Sequence, residues 1–358
     1  MKYIFLSLVL LFKIYSCSFD IPLERSIRNE LLINICIGTP CQKLKFKLIT
    51  SSSMFWFANK NVYEHGFNPF KSRSIHQITT PYHLSYKKQD LVCALIEETV
   101  SFESNANVIT ANKVMAYLAE KGNLGNDYDG VIGIGISNTQ DRTKSFFDIL
   151  RNSNQIEKQI VKISKDKISF GDITNDSTVK YCDYIVDPHT IVTKKYQCKL
   201  NMIYISNNKG LNKLRSETSY KEIVDESMNK VTFKLGANII LVPDEYFTFI
   251  VETIFSELLS NRLCFRSKEG SLKYLACSRT VTANKFLSSV NFVIDKLTLR
   301  FRANDLFIEA SDEEHILFEI MNEDTDENRD QFSFGLTILK KYSLILDNEN
   351  KRVGFVRE

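Results

Sequence analysis

Hydrophobic and polar residues alternate in short runs along most of the chain. Residues 31–38, 43–49, 161–170, 231–235 and 341–346 are rich in Ile, Val, Leu, Phe and Tyr, and turn residues lie between such runs. A period of two with these residue types predicts strands, so the chain reads as mostly β. Helical spacing is confined to a few segments. The clearest are 145–159 and 244–261, the second beginning just after Pro243. Segments 206–230 and 322–331 are polar, the latter strongly acidic, and they predict solvated loops.

The strand pattern contains a weak repeat. FKLITSSSMFWF, from Phe46, runs into a turn of small residues and is followed by GVIGIG, from Gly130. FKLGANIILVP, from Phe233, is followed by FSFGLTIL, from Phe332. The separation between turn and glycine is similar in the two halves, which predicts a duplicated β lobe. Residues 172–190 gather Asp, Asn, Thr and Pro and mark the division.

Composition narrows the class. Of 358 residues, 25% are charged and 44% hydrophobic, which excludes a disordered chain and a coiled coil and allows a sizeable core. The 46 basic and 43 acidic side chains leave a net charge of +3, too little for a nucleic-acid surface. MKYIFLSLVLLFKIYSCS reads as a secretory signal peptide, because Lys13 interrupts its apolar run before membrane-spanning length and small residues follow. Cleavage after Ser18 leaves 44 bases, 43 acids and a net charge of +1. No later apolar segment is long enough to span. The expected layout is a signal peptide at 1–18, a short segment at 19–30, a first lobe at 31–180 and a second at 181–358.

Seven cysteines then remain, and an oxidising compartment suits them. Cys182 and Cys198 lie in β-rich runs that could face each other, and Cys264 with Cys277 would close a short loop. These are the two expected bridges, with one odd thiol left open among Cys36, Cys41 and Cys93. Zinc is a poor alternative, since the chain has no CxxC pair and its five histidines sit singly. A Ser-His-Asp triad lacks a Gly-x-Ser-x-Gly elbow, and GIGIS lacks the spacing of a phosphate loop. Asn175-Asp176-Ser177 is a glycosylation acceptor if the chain is secreted.

Several segments, in order, resemble the pepsin-like aspartic protease family. They are INICIGTPCQKLKFKLITSSSMFWF, FNPFKSRS from Phe67, YDGVIGIG, ISFGDIT and GLTILKKYSLILDNENKRVGF. The resemblance implies two related β lobes with a central cleft and a hairpin flap. It also implies two carboxylates, one per lobe, each opening an Asp-Thr/Ser-Gly turn. The positions that match are Ile49, in Ile49-Thr50-Ser51, and Lys234, in Lys234-Leu235-Gly236-Ala237. No Asp-Thr-Gly or Asp-Ser-Gly occurs anywhere in the chain.

Neither Ile49 nor Lys234 can share a proton as the family's aspartates do, so the expectation is that no catalytic residue is present. Tyr86 matches the flap tyrosine, while Lys87 and Gln89 replace the glycines expected after it. Only twelve residues, Phe19 to Glu30, precede the first matched strand, too few for an inhibitory propeptide. Glycines and Pro40, Trp56 and Pro243 retain the scaffold. The expected protein is a secreted, inactive, monomeric binder of a peptide or protein, using no cofactor, metal, nucleic acid or membrane span. Tyr86, Thr50, Ser51, Gly236 and Ala237 would touch the ligand. The alternatives are an active endopeptidase that draws its carboxylates from elsewhere in the chain, and a closed cleft whose outer surface docks partners.

Overall fold

The computed structural model describes residues 18–358, apart from 87–88, 105–106, 123–126, 137–144, 172–177, 186–194, 208–217, 224–228, 282–287 and 326–330. The signal-peptide segment, the flap residues Lys87 and Lys88, and Asn175 lie outside the described residues. Strands dominate, and they form three sheets.

The first sheet is built on two apolar strands. Leu31–Ile37 and Gln42–Ile49 pair in antiparallel register, Leu32 opposite Lys47 and Ile37 opposite Gln42. The Cys36–Cys41 disulfide staples the turn between them. Gln42–Ile49 also runs parallel to Gly130–Gly133, which pairs antiparallel with Phe55–Ala58. Phe55–Ala58 in turn runs parallel to Asn107–Lys121, Trp56 opposite Tyr117. The long hairpin of His76–Tyr86 and Gln89–Ser104 completes the sheet.

The second sheet repeats that order. Lys230–Phe233 runs parallel to Phe332–Phe334, which pairs antiparallel with Ile240–Leu241. Ile240–Leu241 runs parallel to Ile320–Glu323, Leu241 opposite Met321. A hairpin, Cys264–Glu269 with Leu272–Ser278, again follows. The weak sequence repeat is therefore a repeat of strand pairing, and the molecule is bilobal.

The third sheet draws strands from both halves of the chain. Phe19–Pro22 pairs with Lys167–Phe170, which pairs with Ile160–Ile163. Ile160–Ile163 pairs with Tyr342–Asp347, and Arg352–Arg357 joins that strand to Lys180–Asp183. The predicted strand at 161–170 is thus two strands with a turn between them.

Helix is sparse among the described residues. Asp244–Ser260 has Asp244 and Glu245 in its first turn, where the helix dipole favours anions, and buries Tyr246, Phe247, Ile250, Val251 and Phe255 on one face. Phe146–Asn152 is capped by the Ser145 hydroxyl, which accepts from the Asp148 amide at 3.3 Å. The pattern predicts this helix to residue 159. It stops earlier because the Ser153 hydroxyl takes the Ile149 carbonyl and Asn154 turns left-handed, at φ 57°. The predicted loop at 206–230 also holds a strand, Thr218–Glu222, which pairs with Gln197–Asn207. Cys182–Cys198 and Cys264–Cys277 are bonded, and Cys93 is a buried free thiol.

Candidate functional site

The centre of the molecule is where the two repeated turns meet. Ile49 ends the strand Gln42–Ile49, and its carbonyl accepts from the Ile134 amide at 2.9 Å. The next turn folds on itself: the Ser52 hydroxyl accepts from the Met54 amide at 3.0 Å, and the Ser52 carbonyl accepts from Gly135 at 2.8 Å. In the other lobe the Lys234 amide donates to the Phe334 carbonyl at 2.8 Å, and the Ala237 carbonyl accepts from Leu336 at 2.7 Å.

Close backbone approach makes both turns possible. A Cβ on Gly133 would lie 2.2 Å from the Ser52 carbonyl oxygen, and one on Gly335 would lie 2.2 Å from that of Ala237. Only glycine fits either place.

One side chain ties the turns together. The Thr50 hydroxyl donates to the Phe233 carbonyl at 2.8 Å and accepts from the Leu235 amide at 2.9 Å, and Thr50 is only 2% exposed. Lys234 lies between those two partners. Ile49 reaches across as well, since a Cβ on Gly236 would stand 3.4 Å from its Cγ2. The link is one-sided, because buried Leu235 carries no hydroxyl with which to return the bonds. Two further contacts brace the junction. The Tyr196 hydroxyl donates to the Ile134 carbonyl at 2.7 Å, and the Asn238 amide donates to the Arg28 carbonyl. Burial pushes the Tyr196 phenol well above its usual range, so this donor stays neutral.

The chemistry of the floor is apolar on one side and cationic on the other. Ile49 is 5% exposed and packs with Leu32, Trp56, Leu84, Leu91, Tyr128 and Val131. Lys234 is half-buried. On the face of the strand that carries Ile49, two residues back, Lys47 is 1% exposed and ion-paired with Glu30, with its Nζ 5.9 Å from the Tyr128 ring centroid. Neither turn holds a carboxylate, and the acid on this wall is already engaged by Lys47. A water-activating acid–base pair needs a group that accepts a proton and one that gives it.

The predicted ligand-contacting residues divide. Thr50 and Gly236 meet at the junction, with Thr50 spent on the link itself, while Ala237 stays within its own turn, its amide donating to the Lys234 carbonyl at 3.1 Å. Ser51 is exposed beside it. Tyr86 is the last residue of its hairpin strand, opposite Gln89. Sequence reading missed the Lys47–Glu30 pair. Its signal is Lys43, Lys45 and Lys47 alternating into a strand whose last member on that face is Ile49. The Cys93 thiol lies in the same cluster as Ile49, and burial, helped by the Glu120 charge, pushes it up to about 12. It is a packing group and no nucleophile.

Comparison with known proteins fits this geometry. The family model for eukaryotic aspartyl proteases matches residues 30–358. Aspartic protease 1 of Toxoplasma gondii is 26% identical over 127 residues, which is 32% of this chain and 20% of that protein's length. The crystal structure of an aspartic proteinase from Irpex lacteus superposes with a TM-score of 0.68 at 16% identity, over 95% of this chain and 97% of the other. At that identity the likeness speaks for the fold.

Proposed function

Given that the chain belongs to the eukaryotic aspartyl protease family, we propose that it is a member without proteolytic activity, secreted, and acting by holding a peptide or protein segment in the cleft between its lobes. Catalysis in the family rests on two carboxylates about 3 Å apart, which cannot both ionise: one takes a proton from water and the other protonates the peptide carbonyl. Ile49 cannot titrate. A lysine at the second position supplies positive charge and no basic oxygen.

One observation carries the reading. The Thr50 hydroxyl bonds on either side of Lys234, and the residue before Thr50 is Ile49. This supports taking these two side chains as the occupants of the dyad positions. Backbone edges and side-chain pockets bind an extended peptide without a dyad. Three disulfides, and the absence of any described helix long and apolar enough to cross a membrane, fit the secretory pathway.

The test is digestion of denatured haemoglobin and a quenched peptide library between about pH 2 and pH 7. The wild type and Ile49→Asp alone are expected to leave both substrates intact. Ile49→Asp with Lys234→Asp is expected to show weak acid-dependent cleavage at most, because Ser51, Leu235 and Ala237 do not rebuild the hydrogen bonds around a dyad. Wild-type cleavage blocked by a transition-state mimic of aspartic proteases would overturn the proposal.

A further inference from the structure

The second lobe has an outer sheet face that ends in arginines. Strand Leu297–Arg302 alternates: Leu297, Leu299 and Phe301 enter the core, while Thr298, Arg300 and Arg302 are exposed. It pairs with Ser288–Ile294, which pairs with Gln197–Asn207 and through it with Thr218–Glu222. Directly opposed residues share a face. One row across these strands is therefore Arg300, Asn291, Tyr204 and Tyr220, about 14 Å long, and beside it run Arg302, Ser289 and Ser206. The Asn291 amide ties the rows together, donating to the Tyr204 and Ser289 carbonyls at 3.2 and 3.1 Å and to the Ser206 hydroxyl at 3.2 Å. Tyr220, at the far end, is 66% exposed. The Ser289 hydroxyl, opposite Arg302, is buried with no partner among the described residues, a state that water or a bound polar group relieves.

A third arginine joins from the sheet shared by both halves, where Tyr342 and Arg357 are directly opposed. The Tyr342 hydroxyl reaches the edge of the second lobe, accepting from the Arg300 amide at 2.8 Å and donating to its carbonyl at 3.3 Å. Burial pushes this phenol up, while the bond to Arg300 and the charges of Arg357 and Arg300 oppose the shift, so both guanidinium groups stand near one hydroxyl. Arg300, Arg302 and Arg357 are exposed, and none has an ion-pair partner among the described residues. Of the acids nearby, Asp305 is held by Lys341 at 3.4 Å and Glu358 accepts from the Ser343 hydroxyl. Glu222 shares the face but sits at its far corner, opposite Met202. The net charge of the whole chain is only +3, so the positive charge of this seam is local.

We propose that this face binds a sulfated polysaccharide, with sulfate groups on Arg300, Arg302 and Arg357 and a sugar ring against Tyr220. A guanidinium presents two parallel N–H donors, which match two oxygens of one sulfate, so arginine suits this group better than lysine. The strands set cations at one end and an exposed ring at the other, a span that a chain molecule covers and a free ion does not. The surface is separate from both floor turns and both hairpins, and it stands whether or not the cleft holds a peptide.

The experiment is calorimetric titration of the mature protein with a heparin hexasaccharide at about 50 mM and about 150 mM salt. Binding near 10 μM, to within roughly tenfold, is expected at the lower salt and should weaken at the higher. Each of Arg300→Gln, Arg302→Gln and Arg357→Gln should weaken it roughly fivefold, and the triple variant about a hundredfold. Tyr220→Ala should weaken it roughly fivefold. All of these side chains are exposed, so the variants keep the fold. Lys71→Gln with Arg73→Gln removes two exposed cations of the first lobe and should leave the affinity within about twofold. Equal weakening by that control and by Arg300→Gln with Arg302→Gln would reduce the binding to net charge and overturn the proposal. Displacement of the sugar by inorganic sulfate at a matched sulfate concentration would make the seam an ion site and overturn it. Equal affinity for polyglutamate would point to an acidic protein surface instead, and absence of binding below about 1 mM would leave no site at all.

Discussion

The two lobes share a strand order and treat the matching face of their hairpins in opposite ways. In the first lobe, Tyr82 of the hairpin stacks on Tyr117 at 4.8 Å, and Leu84, Leu91 and Cys93 close over Trp56 and Ile49. In the second, the residue matching Tyr117 by its parallel pairing is Met321, and the hairpin leaves Phe265 in solvent. Strand pairing and glycine contacts specify the fold, whereas the side chains lining each hairpin vary freely over it. That freedom is what lets one frame carry catalysis, binding or neither.

The lobes also differ in how they bury charge, and this contrast is open to attack. Lys47 and Glu30 are both hidden in the first lobe, whereas Glu319 of the second is buried beside a half-exposed Lys340 at 2.6 Å. Lys47→Met strands a buried carboxylate and should destabilise by about 3–5 kcal/mol in urea unfolding, while Lys47→Met with Glu30→Gln should be close to neutral. Equal losses in the single and double variants would mean that the pair is not coupled. Thr50→Val leaves the Phe233 carbonyl and Leu235 amide buried without their partner, and should cost about 2–3 kcal/mol by the same measurement. A loss below about 0.5 kcal/mol would show that the junction is held by packing alone.

The smallest expected effect is in the second lobe. Burial pushes the Glu319 carboxyl above its ordinary 4.5, with Lys340 opposing. The folded protein therefore holds this proton more tightly than the unfolded chain. Its contribution is complete below pH 4.5 and is lost as pH rises through the raised value. As pH rises above 4.5 the wild type should lose stability relative to Glu319→Gln. Unfolding curves that stay parallel across that range would assign the charge fully to the ion pair.

Much of this architecture was legible because it is local. The FKLITSSS and FKLGANII runs announce the repeated turns, since a strand that ends in small residues before a second strand has few alternatives. Pairing across the chain was harder to read. Cys36–Cys41 spans a tight turn whose geometry, not its spacing, brings the sulfurs together. Thr218–Glu222 looks like loop because its residues are polar, and its strand character comes from an edge pairing with Gln197–Asn207. Lys47 resembles any exposed lysine of an alternating strand until Glu30, seventeen positions earlier, folds onto it. Ile49 and Lys234 could be named from their turns, but that Thr50 would bridge them could not, because it depends on two backbone groups 183 and 185 residues away.

The sheet shared by both halves sets a schedule for biosynthesis. Ile160–Ile163 finds its outer partner in Tyr342–Asp347, and Lys180–Asp183 finds its own in Arg352–Arg357. At 5–20 residues per second, the ribosome delivers those partners roughly ten to forty seconds after the strands that await them. Throughout that interval the nascent first lobe carries bare strand edges, which are templates for mispairing with another chain. Its release as a finished molecule is therefore a late event, timed by the last strands to emerge, and a first lobe expressed alone should be recovered as aggregate.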